Sequence, residues 1–304
     1  MPPSRRTEVT EVSPALLRAR PLPDSNATSG KHDRGTVLLI GGTRETPGAL
    51  VLAGLAALRA GAGRLQLATV SSVSTALAIA VPEARVAGLP ETADGSIDPH
   101  AAGRILELAA DSDAVLFGPG TLDEHATAAL LAGVLPQLRD ARVVLDACAV
   151  SALEVEPTLL EQIGQRTILT PNPGEMAALL TRDVDAVRDD PLGSLDDAIE
   201  RVGCTVALRD AETWIGAVGG ERFRDRSGHP ALGTSGSGDV LVGFLTGLLA
   251  RGASPLDATL WAVHCHGVAG ATAAAHLAGN GLLAREVIDT LALAVATIAG
   301  RGSW

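Results

Sequence analysis

The sequence predicts an α/β protein whose central sheet is mostly parallel and covered by helices on both faces. Two observations carry that expectation. From Thr36 onward, short β-type runs alternate with Ala/Leu-rich runs of helical length, the order that builds a parallel sheet. The β-type runs are also apolar nearly end to end, as at 37–40 and 114–117, and strands buried on both faces read this way.

Residues 1–34 are polar and punctuated by Pro, and read as an N-terminal arm with a short helix at 13–20. Residues 35–304 read as one domain, because no linker-like composition interrupts them. Strands are predicted at 36–40, 64–70, 114–117, 142–145, 167–170, 205–208 and 213–218, where aliphatic and β-branched residues cluster. A helix at 47–60 opens on Pro47 and closes before Gly61. Helices at 73–80, 101–110 and 124–138 follow from their Ala/Leu content. The helix at 173–180 opens on Pro173, and another covers 195–202. Three more, at 238–251, 255–278 and 284–298, complete the domain.

A 46% hydrophobic share over 304 residues supplies a sizeable core and excludes wholesale disorder. Aromatic residues make up only 2%, too few for the stacking platforms that grip single-stranded nucleic acid. The formal charge, 24 − 35 = −11, argues against a polyanion-binding surface. Lys31 is the sole lysine among the 24 basic residues and lies in no P-loop pattern. Any nucleotide phosphate must therefore be held by other groups. Cys148, Cys204 and Cys265 are widely spaced and odd in number, which fits a reducing compartment better than a disulfide framework. With no apolar leader and no apolar run of about 20 residues, a cytoplasmic protein off the membrane is expected.

Ligands of open α/β sheets sit beyond the C-terminal ends of the strands. That edge is predicted to carry Gly41-Gly42-Thr43, Gly118-Pro119-Gly120, Asp146-Ala147-Cys148, the run from Thr170 to Glu175, and Arg209-Asp210. The most informative segment is Gly233-Thr234-Ser235-Gly236-Ser237-Gly238-Asp239, at the start of a helix. Glycines let successive N–H groups converge on one point. The helix start adds free N–H groups and the positive end of its dipole. Together they form an anion hole made of backbone. A first-turn carboxylate such as Asp239 ordinarily only caps its helix. This helix, however, is apolar on nearly every face and must be buried, so Asp239 reads as a positioned base. Gly243 and Gly247 share a helix face and read as close packing. The pattern Gly41-Gly42 … Gly48-Ala49 is not G-x-G-x-x-G, which disfavours a standard dinucleotide site. His264 and His266 are two apart on a predicted helix and face different sides. No metal ligands are assigned to them, and Cys148 is not assigned as a nucleophile.

Taken in order, these segments resemble the ADP-dependent NAD(P)H-hydrate dehydratase family of the ribokinase-like superfamily. The resemblance runs from about Lys31-His32 to Ile298. It passes through Gly41-Gly42 … Gly48-Ala49 … Ala60-Gly61-Ala62-Gly63, Gly118-Pro119-Gly120, Leu145-Asp146-Ala147, the run from Thr170 to Glu175, Ser235 to Gly243, and His266-Gly267-Val268-Ala269-Gly270. It implies a three-layer ribokinase-like fold and repair of hydrated NADH or NADPH. Phosphorylation of the ring hydroxyl by ADP or ATP, with Mg²⁺, would be followed by loss of phosphate. In that reading Asp239 is the base. The backbone of Gly236, Ser237 and Gly238 stabilises the transferring phosphoryl group. Ala49, Gly120 and Asn172 line the nicotinamide site with Asp239. Arg209, Asp210, Ala211, Glu212 and Thr213 hold the nucleotide's adenosine side. A homo-oligomer, a tetramer in the family's manner, is implied. Two positions depart from the family pattern: Asn172 stands in place of His, and Arg209-Asp210 in place of Lys-Gly. A small-molecule hydroxyl kinase of the same superfamily and a nucleotide-binding protein without turnover are the alternatives.

Overall fold

The computed structural model describes residues 8–23, 30, 33–277 and 281–300. Lys31 and His32, where the resemblance begins, lie outside the described residues. The centre is a ten-stranded sheet in the order β1-β10-β9-β8-β7-β6-β5-β2-β3-β4. In chain order the strands are β1 (Val9–Glu11), β2 (Thr36–Ile40), β3 (Arg64–Val70), β4 (Ala84–Leu89) and β5 (Ala114–Phe117). There follow β6 (Arg142–Leu145), β7 (Thr167–Leu169), β8 (Thr205–Arg209), β9 (Thr213–Gly216) and β10 (Arg222–Asp225). All neighbours pair parallel except β9, which runs antiparallel to β8 and to β10.

Successive residues of a strand point to opposite faces, and both faces here are dry. Leu39, Leu67 and Leu116 point to one side, among α2 (Gly48–Arg59), α10 (Ser237–Ala250), α11 (Pro255–His276) and α12 (Ala284–Ala299). Leu38, Ala68 and Val115 point to the other. There they meet α4 (Ala102–Ala109), α5 (Glu124–Val134), α7 (Pro173–Leu180) and α9 (Pro191–Val202). The near-continuous apolar runs in the sequence are this double burial. Helix α10 is buried at every position from Val240 to Ala250. It lies so close to α2 that a Cβ at Gly243 would stand 2.1 Å from the Ala53 carbonyl oxygen, and one at Gly247 2.5 Å from that of Ala57.

The structure departs from the sequence expectations where tertiary contacts decide. Val9–Glu11, read as part of an arm, pairs parallel with β10 as the sheet's edge strand. Helix α1 (Pro14–Ala19) then buries Leu17 completely, and Trp261 Nε1 donates to the Arg20 carbonyl at 2.7 Å. β10 was not expected because three of its four residues are charged. Its arginines are matched by distant acids: Arg222 by Asp196 and Arg224 by Glu11. β4 carries Arg85 and Gly88 and is half-exposed at the other edge, so it lacked the apolar run. Helix α6 (Cys148–Val155), helix α8 (Val184–Asp189) and the first turn of α9 were also unforeseen. The helix expected to reach 138 stops at Val134, and Pro136 sits in the 3₁₀ turn that follows.

The Gly243 contact is testable. Gly243→Ala pushes a methyl into backbone and should destabilise the protein by roughly 2 kcal/mol or more. A lowered urea midpoint with an unchanged slope would register it.

Candidate active site

Five parallel strands deliver the groups at the site. Gly41 follows the end of β2, Gly118 that of β5, Asp146 that of β6 and Thr170 that of β7, while Arg209 is the last residue of β8. Helix α10 points its N-terminus at this edge. Its N-cap, Gly236, takes φ +88°, and no side chain caps the helix. The Ser237 N–H turns back to the Thr234 carbonyl at 3.3 Å, while those of Gly238 and Asp239 have no side-chain acceptor and stay available to an anion. Ser237 turns its hydroxyl away to donate to the Leu232 carbonyl at 2.6 Å, which fixes the incoming loop.

Asp239 follows in that first turn. Burial pushes its carboxyl up to about 6, the nearby Asp146 pushes the same way, and Arg209 opposes both. A carboxylate near that value can take up a proton at neutral pH. Asp146 is buried and hydrogen-bonded on one oxygen by two donors. Thr170 Oγ1 donates at 2.7 Å and Arg209 Nη2 at 2.8 Å. Arg209 Nε also donates to the Thr170 carbonyl at 2.7 Å. Its guanidinium is thereby drawn across the glycine turn, and a Cβ on Gly238 would stand 2.8 Å from Nη1. Glu175 lies near the same pair. Burial raises its carboxyl, Asp146 adds to the shift, and the Asn172 N–H and Arg209 counter it.

Beside the anion hole opens a cleft of about 500 Å³. Arg209, Asp210, Ala211, Thr213, Ser237 and Gly238 line it, six of the residues singled out from sequence. Its far wall is the loop at 228–233 together with Leu241, Val263 and His266. That loop is held from below. Asp225 accepts from Ser227 Oγ at 2.5 Å and from Ser227 N at 2.9 Å, and its other oxygen meets His264 Nδ1 at 2.6 Å. His264 and His266 do face different partners, since His266 sits by the Ser237 backbone and the cleft. Burial, with help from Arg209, pushes His266 down to about 4, so it is neutral at physiological pH. Its Nε2 has no hydrogen-bond partner among the described residues.

The other singled-out residues lie elsewhere around the edge. Gly120 touches Ala49 across the β2–α2 turn, where a Cβ at 120 would come within 2.9 Å of the Ala49 methyl. Asn172 is exposed and caps α7, accepting from Glu175 N at 3.0 Å. Gly236 packs on Leu52 of α2. The Glu212 side chain turns away from the cleft to pair with Arg226 at 2.9 Å and Arg224 at 3.7 Å. Asp210 stands at the rim, 3.6 Å from Arg188. Cys148 donates to the Thr121 carbonyl at 3.1 Å, and burial raises its thiol. Asp146, Glu175, His266 and the Asp225–His264 pair were missed as site residues. For Asp146 and Glu175 a signal existed, since each follows a strand end. For the others there was none, because their relevance depends on what packs against them.

A sheet-edge anion hole with a poised carboxylate at a buried helix start, on this three-layer α/β frame, defines a ribokinase-like protein. A ribokinase-like superfamily protein from Enterococcus faecalis superposes with a TM-score of 0.82 at 24% identity, covering 96% of each chain. Residues 37–293 match the NAD(P)H-hydrate dehydratase family, and the chain belongs to it. An ADP-dependent (S)-NAD(P)H-hydrate dehydratase of Xanthomonas campestris pv. campestris is 42% identical, over 92% of this chain and 93% of its own. An ADP/ATP-dependent NAD(P)H-hydrate dehydratase from Bacillus subtilis, co-crystallised with ATP/Mg²⁺, gives a TM-score of 0.76 at 28% identity, covering 96% of this chain and 99% of its own. The chain spans about half the length of bifunctional NAD(P)H-hydrate repair enzymes such as that of Moorella thermoacetica, which is 34% identical over 89% of this chain and 51% of its own. No helix among the described residues is long and apolar enough to cross a membrane.

The raised Asp239 carboxyl predicts a pH-dependent stability cost. Its folded value, about 6, lies above the ordinary 3.8, so the proton it holds stabilises the fold below pH 4, and that contribution is lost as pH rises to 6. Asp239→Asn should match the wild-type melting temperature near pH 4 and exceed it from pH 6 upward, as read by scanning calorimetry.

Proposed function

We infer that this chain is an ADP-dependent (S)-NAD(P)H-hydrate dehydratase, a metabolite-repair enzyme that returns hydrated NADH or NADPH to the working cofactor. The observation that carries the reading is Asp239, its carboxyl poised near neutrality beside uncapped helix amides, in a chain of this family. Asp239 takes the proton of the ring hydroxyl as that oxygen attacks the terminal phosphate of the nucleotide. The amides of Gly238 and Asp239 and the guanidinium of Arg209 receive the charge on the phosphoryl oxygens, while the Ser237 amide is held by the Thr234 carbonyl. The ring nitrogen then expels phosphate, a ring proton is lost, and the dihydronicotinamide is restored. With ADP as donor the products are AMP, inorganic phosphate and NAD(P)H.

The nucleotide occupies the 500 Å³ cleft, with Asp210, Ala211 and Thr213 toward its adenosine and Glu212 contributing backbone alone. The hydrated nicotinamide approaches from the Ala49–Gly120 side, where the two residues touch, with Asn172 at its rim. Among the described residues no three His, Cys, Asp or Glu side chains form a metal cage. That donor set fits Mg²⁺ carried in on the phosphates, which needs only one or two carboxylates and water from the protein. Glu175 would hold it on the protein side, and when bound the ion neutralises phosphate charge. Residues 35–304 are taken as the catalytic domain, and the chain as a cytoplasmic homo-oligomer. Apolar residues left exposed, such as Ile79 and Leu293, support assembly.

The test follows the return of reduced-nicotinamide absorbance from hydrated NADH with ADP and Mg²⁺. Recovery with release of phosphate is expected. A stable phosphorylated product instead would place the chain among hydroxyl kinases. Asp239→Asn should bind ligands normally and lose about 10²–10⁴-fold in rate. The wild-type kcat/KM should fall on the acid side with an apparent pKa of about 6, where the base becomes protonated.

A further inference from the structure

Asp146 is assigned no part in the reading above, yet the backbone around it is arranged at some cost. The next residue, Ala147, takes φ +51° and ψ −131°, a conformation that strains a side-chain-bearing residue. Gly118 closes over the Asp146 carbonyl so tightly that a Cβ there would stand 1.9 Å from its oxygen. Strain of this kind persists only where the surroundings over-determine the geometry. What the geometry delivers is a carboxylate whose side chain is 6% exposed, with one oxygen that receives Arg209 Nη2 at 2.8 Å.

The guanidinium of Arg209 has three nitrogens. Nε is taken by the Thr170 carbonyl and Nη2 by Asp146. Nη1 makes no hydrogen bond to the described residues and lies over Gly238, at the turn whose amides are uncapped. Two N–H donors and a positive charge are thus aimed at the place where helix amides also point. A flexible arginine at the end of β8 would have many other orientations, and each fixed torsion costs entropy. Asp146 and Thr170 remove that freedom before any ligand arrives.

We propose that Asp146 is a positioning residue for phosphoryl transfer: it holds Arg209 so that Nη1 meets the terminal phosphate of the nucleotide above Gly238. This rests on the reading of the cleft as the nucleotide site. The role acts through Arg209, so the two residues should behave as one unit toward the terminal phosphate and leave the rest of the nucleotide alone.

Calorimetric titration of the full chain with ADP and with AMP separates these contributions. In Asp146→Asn the Kd for ADP should weaken about tenfold or more, as for loss of a charge-assisted hydrogen bond, while the Kd for AMP changes less than twofold. Arg209→Met should weaken ADP at least as much, and adding Asp146→Asn to it should cost less than a further twofold, because coupled residues are not additive. Turnover should follow: kcat falls, and KM for the hydrated cofactor moves less than threefold. Equal weakening of ADP and AMP, no weakening of either, or additive losses in the double variant would overturn the proposal. If Asp146→Asn does not fold, Arg209→Met alone decides it by the same ADP-against-AMP comparison. A wild-type chain that binds AMP and ADP but restores no dihydronicotinamide would defeat the dehydratase reading and leave this comparison intact. One that binds neither defeats both.

Discussion

Helix α10 has no face for solvent, and the site depends on that. A helix buried from Val240 to Ala250 can stop only where its first N–H groups find something polar, since buried, unpaired amides are costly. No side chain caps them. The open donors and the positive end of the dipole therefore face the sheet edge, and the carboxylate of Asp239 rides in the same turn. Burial, which shields Asp239 from water, is also the largest cause of its raised pKa. One packing constraint thus produces both the open helix start and the raised carboxyl beside it.

The position of α10 is in turn set by glycines. Gly243 and Gly247 let it settle onto the backbone of α2, where Ala53 and Ala57 leave no room for a Cβ. Because α2 carries Ala49 in its first turn, close to Gly120, this close packing ties Asp239 and the glycine turn to the Ala49–Gly120 side of the sheet edge. A site assembled from rigid elements in this way needs little rearrangement to align a hydroxyl with a phosphate.

The cation at this edge is Arg209, held between the Thr170 carbonyl and Asp146. An arginine suits that place because its planar fork bonds two partners and still presents a third nitrogen. Asp146 both tethers Arg209 and raises Asp239, while Arg209 lowers it, so the charge of the base reflects a balance among these three residues. Glu175 and His266 feel the same arginine.

Local patterns in the sequence carried a large part of the outcome. Apolar runs and their spacing placed β2, β3, β5 and β6 to the residue, because a strand buried on both faces is mostly apolar. The glycine turn and Asp239 stood out because an anion hole made of backbone needs contiguous residues. Strands β1 and β10 did not stand out, since their charged residues are neutralised only by partners such as Glu11 for Arg224 and Asp196 for Arg222, distant in the chain. The Asp146–Arg209 pair, 63 residues apart, was invisible for the same reason, as were the Asp225–His264 tie and the buried His266. The sequence by itself determined the layered α/β frame and singled out the glycine turn and Asp239 at the start of α10, all set by short-range periodicity and turn chemistry. Only the tertiary structure decided which charges meet at that turn, because their pairing and their protonation depend on burial between segments that no local pattern brings together.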